Sequence, residues 1–184
     1  MDYSQFFNMI PEAGLMAILV IVFLADLFLK GEKKHATLSM LTCALLVAQV
    51  VLCFNAQPAE TFAGLYTATA AAQVMKVILT AGAYIVVVMA QSWIEREDVL
   101  RKEGEFYELI ISTLLGMYMM ISSGHFLMFF LGLEMASVPM ACLVAFDKYK
   151  KISAEGAAKF ILTATFSSGV MLFGISFIYG ACGT

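Results

Sequence analysis

A glutamate lies in the middle of a long apolar segment. Glu134 stands in the sequence FFLGLEM (129–135), nine residues after His125. In a helix this spacing is roughly 13 Å, close to the middle of a bilayer. A carboxylate at that depth either takes up a proton or pairs with a cation. We therefore regard Glu134 as a proton-relay candidate, and a static ion pair between two helices is the structural alternative.

An acid and a base follow on the next predicted helix. Glu155 and Lys159 stand four residues apart, and an acid preceding a base is the favourable order for a helical ion pair. Lys159 would lie roughly 8–9 Å into the membrane. Because the two segments run in opposite directions, we expect Lys159 to reach Glu134 directly or through one water, which makes Glu155 and Lys159 further relay candidates. A lysine at this depth can also extend to the interface along its stem.

Three other charged residues fall within or near apolar segments. Lys76 lies about two turns into its predicted helix and is either a further relay candidate or a lysine that extends to the interface. Glu12 and Asp26 lie near the ends of the first helix, and we expect both at the membrane interface.

A proline follows Glu134 within the same predicted helix. Pro139 removes the backbone hydrogen bond to the Met135 carbonyl and predicts a kink. The freed carbonyl would favour a hydrated path beside Glu134. Small and hydroxyl residues would line this path or, equally, serve only as helix contacts: Ser137, Thr163, Thr165, Ser167, Ser168, Gly169 and Gly174.

The composition requires a lipid environment for these segments. Hydrophobic residues make up 61% of the chain, charged residues 14%, and the mean hydropathy is +0.88, whereas a soluble domain carries about 25% charged residues. The net charge of −3 argues against nucleic-acid binding. The four cysteines form no C-x-x-C pair, so we expect small apolar residues inside helices and no haem, iron–sulfur or zinc site.

Six apolar runs are long enough to cross a bilayer as helices, which need roughly 20 residues each. We predict an all-α, polytopic transmembrane helix bundle in which residues 1–184 form a single transmembrane domain. The predicted spans are near 11–29, 36–54, 70–93, 106–121, 125–146 and 154–179.

The basic residues predict the orientation of the bundle. Nine of the eleven lysines and arginines follow the first, third and fifth spans, and the loops after the second and fourth spans contain none. The positive-inside rule places the nine cations in the cytoplasm. The N-terminus is therefore predicted to lie outside.

Several motifs match a known family. They are LGLEMASVPM (131–140), the E-x-x-x-K pattern within SAEGAAKF (153–160), YGACGT (179–184), and the P-E and LADLF segments of the first span. Together they resemble subunit N of the proton-pumping NADH–quinone oxidoreductases, the respiratory complex I family. The resemblance covers nearly the whole chain and is strongest from Gly104 to Thr184.

This resemblance implies specific roles. Glu134 matches the family's helix-five glutamate, which tunes the charge of a channel lysine, and Lys159 and Glu155 match the helix-six lysine and the acid one turn before it. The family fold implies inverted repeats with broken helices. Such subunits continue beyond a sixth helix to a broken seventh helix with a central lysine. We therefore expect this chain to be an N-terminal portion that is not active alone.

The resemblance also implies the partners and cofactors. It predicts a translocase subunit in the cell inner membrane that contacts lipid and the other membrane subunits of complex I. No cofactor is expected in this chain, because NAD, FMN, iron–sulfur clusters and quinone would be bound by other subunits. Two alternatives stay open: a subunit of a multisubunit cation/proton antiporter, which shares the Glu and Lys pattern, and a non-catalytic structural helix bundle.

Overall fold

Six helices and one small hairpin make up the computed structural model, which describes residues 6, 8–29, 34–94, 102–147 and 150–182. The helices are α1 (Ile10–Phe28), α2 (Lys34–Asn55), α3 (Ala70–Ile94), α4 (Glu103–Ile121), α5 (Phe126–Val144) and α6 (Lys151–Cys182), and the strands are β1 (Ala59–Thr61) and β2 (Tyr66–Ala68). No helix end differs from the predicted one by more than three residues. The all-α membrane-protein class is confirmed.

The helices run alternately in opposite directions. At one end, the start of α1, the hairpin and the α4–α5 turn meet, since Tyr66 contacts both Glu12 and the Ser122–Ser123 turn. We call this the outer end, following the predicted orientation. At the opposite, inner end, the ring of Trp93 on α3 packs against that of Phe106 on α4. This alternation is the one that the distribution of basic residues requires.

Helix α4 is the most enclosed of the six. It packs against α1, α3 and α5, and ten of its residues are buried, including Tyr107, Ile111 and Leu114. Five of the described helices are long and apolar enough to cross a membrane by length and composition, and α4 is not among them. Its glutamates near the inner end lower its hydropathy. A helix that is surrounded by protein rather than lipid need not be apolar on every side. The sequence of α4 can therefore be more polar than those of the other helices.

The approach of α4 to α5 is close because glycines line it. A Cβ added to Gly116 would lie 2.4 Å from the Ala136 backbone nitrogen, and one added to Gly132 would lie 2.7 Å from the Met120 nitrogen. Gly132 and Ala136 are one turn apart on α5, which is the small-xxx-small spacing of close membrane helix pairs. These residues fix how α5, and therefore Glu134, is placed against the bundle.

The connection between the second and third spans is an antiparallel hairpin, with Ala59 opposite Ala68. The Thr67 N–H donates to the Ser122 carbonyl at 2.9 Å, so the hairpin lies on the α4–α5 turn. A Cβ on Gly124 would lie 1.9 Å from the Gly64 carbonyl oxygen, so this docking requires a glycine. The hairpin covers the outer ends of α1, α3 and α4.

Helix α6 contacts only the bundle edge. Ser168 and Ile175 are its only buried residues. Among the described elements it packs substantially only against α5. The rest of its surface is open.

Candidate functional site

Glu134 lies near the middle of α5 and is half-buried. It stands two residues from both Gly132 and Ala136, and each residue turns a helix by about 100°, so its side chain leaves α5 on the face opposite α4. Within the described part of the chain, Glu134 makes no ion pair or hydrogen bond. The structure therefore shows a carboxylate in an apolar helix without a counter-charge on the described residues.

Lys159 and Glu155 form the predicted ion pair on α6. The Lys159 Nζ lies 2.6 Å from the Glu155 Oε1, which confirms the geometry inferred from their spacing. Both side chains are exposed, by 74% and 65% respectively.

The structure describes both Lys159 and Glu134 and shows no direct ion pair between them, since the Lys159 ammonium pairs with Glu155 instead. The buried face of α6 is marked by Ser168, which stands nine residues after Lys159. Nine residues turn a helix by about 900°, so Lys159 lies on the opposite face from the contact with α5. The depth of Lys159 in the membrane, as predicted from the sequence, could not reveal how α6 is rotated about its axis, because α6 has apolar residues on every side.

Lys76 does not extend to the interface, and its role as a relay candidate stays a prediction. It is completely buried, and its Nζ lies 2.6 Å from the Oε1 of Glu12. The sequence predicts Glu12 at the membrane interface, and the structure leaves it only 2% exposed. Its depth near the start of α1 agrees with that prediction, but the hairpin and α4 cover it from water. Asp26, in contrast, is partly exposed and lies 2.9 Å from the Lys34 Nζ at the inner end.

Three donors surround the Glu12 carboxylate. Besides Lys76, the Tyr66 hydroxyl donates to Oε2 at 2.9 Å and the Ser122 hydroxyl donates to Oε1 at 3.2 Å. The Lys76 ammonium also donates to the Tyr66 oxygen at 3.4 Å and lies 5.5 Å from the ring centroids of Tyr66 and Tyr118. We call Glu12, Lys76, Tyr66 and Ser122 the outer cluster. Its charges are compensated, as buried charges must be.

Tyr66 keeps its proton in this setting. Burial raises the pKa of its phenol above the ordinary value, and the neighbouring Glu12 carboxylate raises it further. The hydroxyl therefore stays a donor to Glu12 across the physiological range.

A second set of polar contacts extends inward from the outer cluster. The Tyr118 hydroxyl donates to the Lys76 carbonyl at 3.3 Å, contacts the Thr80 hydroxyl and lies 3.1 Å from the Cys53 sulfur. Gln49, one turn before Cys53, donates to the Pro11 carbonyl at 2.6 Å. Helices α1, α2, α3 and α4 are thus joined by polar side chains near one end.

The inner end carries its own polar contacts. The His35 Nδ1 contacts the carboxylate of Glu103, which is 1% exposed. The Gln91 amide donates to the Ser39 hydroxyl at 2.5 Å. These contacts join α2 to α3 and α4 where the predicted cytoplasmic loops begin.

The outer cluster was not predicted, because its members are far apart in sequence. Glu12 and Lys76 are 64 residues apart, and no local pattern pairs them. The only available signal was that both charges fall within two turns of the same predicted membrane face. That coincidence of depth identifies Glu12 as a candidate partner for Lys76.

Comparisons with known proteins agree with the motifs. Residues 123–184 match the family model described as NADH:quinone oxidoreductase/Mrp antiporter, TM. The whole chain is 52% identical to NADH-quinone oxidoreductase subunit N of Phocaeicola vulgatus. It is 32% identical, over 95% of its length, to the protein of the same name from Neisseria gonorrhoeae.

The chain spans 39% of the length of the Phocaeicola vulgatus protein and 36% of that from Neisseria gonorrhoeae, and it matches their N-terminal portion. A solved structure of respiratory complex I from Thermus thermophilus with bound Aureothin contains a chain of similar fold. The TM-score is 0.77 at 23% identity, with 95% of this chain and 37% of that chain covered.

Proposed function

Because this chain is homologous along its whole length to the N-terminal portion of NADH-quinone oxidoreductase subunit N, we propose that it forms part of the membrane arm of a proton-translocating NADH–quinone oxidoreductase. The observation that carries the proposal is the full-length match at 52% identity to a protein of that name. Quinone reduction takes place elsewhere in the complex, and this chain contributes to the proton transfer that accompanies it. It is not active alone.

Glu134 is the residue that we place at the centre of this role. A half-buried carboxylate without a counter-charge on the described residues is poised to change its protonation when a nearby charge moves. A cation that approaches Glu134 favours the carboxylate, and its departure favours the acid, so a charge movement changes proton affinity at this site. Glu155 and Lys159, on the open face of α6, and Lys76, near the outer end, are further relay candidates.

The proposed location and partners follow from the same assignment. The chain lies in the cell inner membrane, among lipid and the other membrane subunits of the complex. NAD, FMN, the iron–sulfur clusters and quinone belong to other subunits. A coupling subunit of this kind needs ionisable side chains rather than a cofactor.

The test replaces Glu134 by Gln in the assembled complex and measures protons moved per NADH oxidised in membrane vesicles. The amide keeps the size of the side chain but cannot exchange a proton, so the ratio is expected to fall while the amount of assembled complex stays the same. Glu60→Gln, at an exposed position in the hairpin, is the matched control and leaves the ratio unchanged. An unaltered ratio in the Glu134→Gln complex would support a static role for this carboxylate.

A second function is favoured by one observation, the family model that names Mrp antiporters together with the oxidoreductases. As a subunit of a multisubunit cation/proton antiporter, the chain would exchange Na⁺ for protons without NADH. Vesicles that contain the chain in its native assembly separate the two functions. NADH-driven acidification supports the oxidoreductase, and acidification changes driven only by a Na⁺ gradient support the antiporter.

A further inference from the structure

The ion pair in the outer cluster can hold a proton on either partner without a change of net charge. With Glu12 ionised and Lys76 protonated the pair is neutral, and after transfer of one proton from Nζ to Oε1 it is again neutral. Isolated charges are costly at low dielectric, so two forms of equal net charge are the ones that a buried site can exchange. The 2.6 Å separation allows this transfer within one hydrogen bond.

A cavity of about 220 Å³ lies beside the outer ends of α2 and α3. Gln73, which lines it, is 7% exposed, and neither atom of its side-chain amide has a hydrogen-bond partner among the described residues. Buried amides of this kind bind water, and the cavity has room for several molecules. The carbonyl groups of the last turn of α2 have no hydrogen-bond partners within the helix. They lie at the same end of α2 as the cavity and supply further acceptors for hydrogen bonds from water.

The cavity lies beside the outer loop and is lined by Gln73 and Val77, which neighbour Lys76 on α3, but not by Lys76 itself. Ala56 and Pro58, which follow α2, line one side of it, and the buried Cys53 lines another. The Cys53 sulfur lies 3.1 Å from the Tyr118 hydroxyl, and the Tyr118 ring lies against the Lys76 ammonium. Gln73 itself is one turn before Lys76 on α3.

From these contacts we infer that Glu12 and Lys76 form a second proton-holding site, which exchanges protons with water on the outer side through the cavity at Gln73. This inference rests on the proposed function. In the transfer, an N–H bond of Lys76 breaks and an O–H bond of Glu12 forms. The Glu12 proton then passes to a water molecule, which becomes hydronium, while the neutral Lys76 amine takes a replacement proton from a second hydronium ion, which becomes water, so that the pair stays neutral.

The first test replaces both members of the pair with glutamine in the assembled complex. The amides of Glu12→Gln/Lys76→Gln can hydrogen-bond to each other, to Tyr66 and to Ser122, so no unpaired charge is left buried. A merely structural pair would therefore be replaced with little effect. We expect instead that the complex assembles and that fewer protons are moved per NADH oxidised, with Glu60→Gln as the unaffected control. A wild-type ratio in the double variant overturns the inference.

The second test measures access of water to the cavity and needs no pumping. In the assembled complex, Gln73→Cys is treated from the outer side with a membrane-impermeant maleimide, and Met75→Cys is the matched control. Met75 is 51% exposed on the lipid-facing surface of the same helix and does not line the cavity, so a charged reagent has no water there. We expect labelling above the unmodified complex at position 73 only. Absence of labelling at position 73 overturns the inference. This result does not depend on whether the Glu12→Gln/Lys76→Gln complex assembles.

The outcomes also separate this inference from the proposed function. Loss of pumping in Glu134→Gln together with normal pumping in the double variant rejects the outer site alone. Normal pumping in both variants also rejects the proposed proton-transfer role of Glu134.

Discussion

At the scale of residues, Glu12 and Glu134 differ in how completely the charges of their carboxylates are compensated. Glu12 receives three donors, one of them an ammonium, whereas Glu134 receives none from the described residues. A carboxylate whose oxygens all have hydrogen-bond partners stabilises the structure around it. The protonation of a carboxylate without such partners responds to any charge that approaches. The proposed coupling role therefore belongs to Glu134, and the outer cluster acts through its internal proton transfer.

Replacement of Tyr66 by Phe tests the contribution of one donor to the outer cluster. The ring and its contact with Lys76 are kept, but the buried Oε2 of Glu12 loses its partner. We expect the free energy of unfolding to fall by about 1–3 kcal/mol. Unfolding of the chain in detergent, followed by denaturant titration, measures this change. A loss below a few tenths of a kcal/mol would mean that the hydrogen bond contributes little.

The raised pKa of Tyr66 predicts a dependence on alkaline pH. The phenol holds its proton more tightly in the folded chain than in the unfolded chain, whose pKa is near 10. Its contribution is therefore complete below about pH 10 and is lost as the pH rises further. Between pH 9 and 12, the free energy of unfolding should fall less steeply with pH for Tyr66→Phe than for the unmodified chain. Equal slopes would contradict the raised pKa of Tyr66.

At the scale of elements, the contact between α4 and α5 depends on the absence of side chains. A larger residue at position 116 would meet the backbone of Met135 and Ala136, which cannot move aside as a flexible side chain can. Gly116→Val is expected to destabilise the chain by about 1–3 kcal/mol. Gly82→Ala is the control, since no atom lies within 4 Å of its added Cβ, and it should raise stability by up to about 1 kcal/mol. Unfolding in detergent compares the two.

The helices could be predicted because each crosses lipid as one apolar run. The break at Asn55–Pro58 and the start of α3 at Ala70 agree with the sequence, yet the hairpin between them was not predicted. Its strands are three residues long, and they are stabilised by the α4–α5 turn rather than by their own residues. The rotation of α6, which separates Lys159 from Glu134, depends on packing and has no local signal either.

At the scale of the whole molecule, the basic residues predict which end faces the cytoplasm. Two single-cysteine chains, in a background whose native cysteines are replaced by alanine, test this orientation. Glu60→Cys in the hairpin should react with an impermeant maleimide added outside intact cells, and Lys150→Cys should react only after the membrane is opened. The reverse pattern would invert the bundle and place the outer cluster on the cytoplasmic side.

The most direct test of the account is the protonation of Glu134 during turnover. An infrared difference spectrum of the assembled complex, recorded on addition of NADH, reports carboxylic groups that gain or lose a proton. We predict a carboxyl band in the unmodified complex that is absent from Glu134→Gln and present in Glu60→Gln. Identical spectra from all three complexes would contradict the central claim that this half-buried glutamate changes its protonation when the complex works.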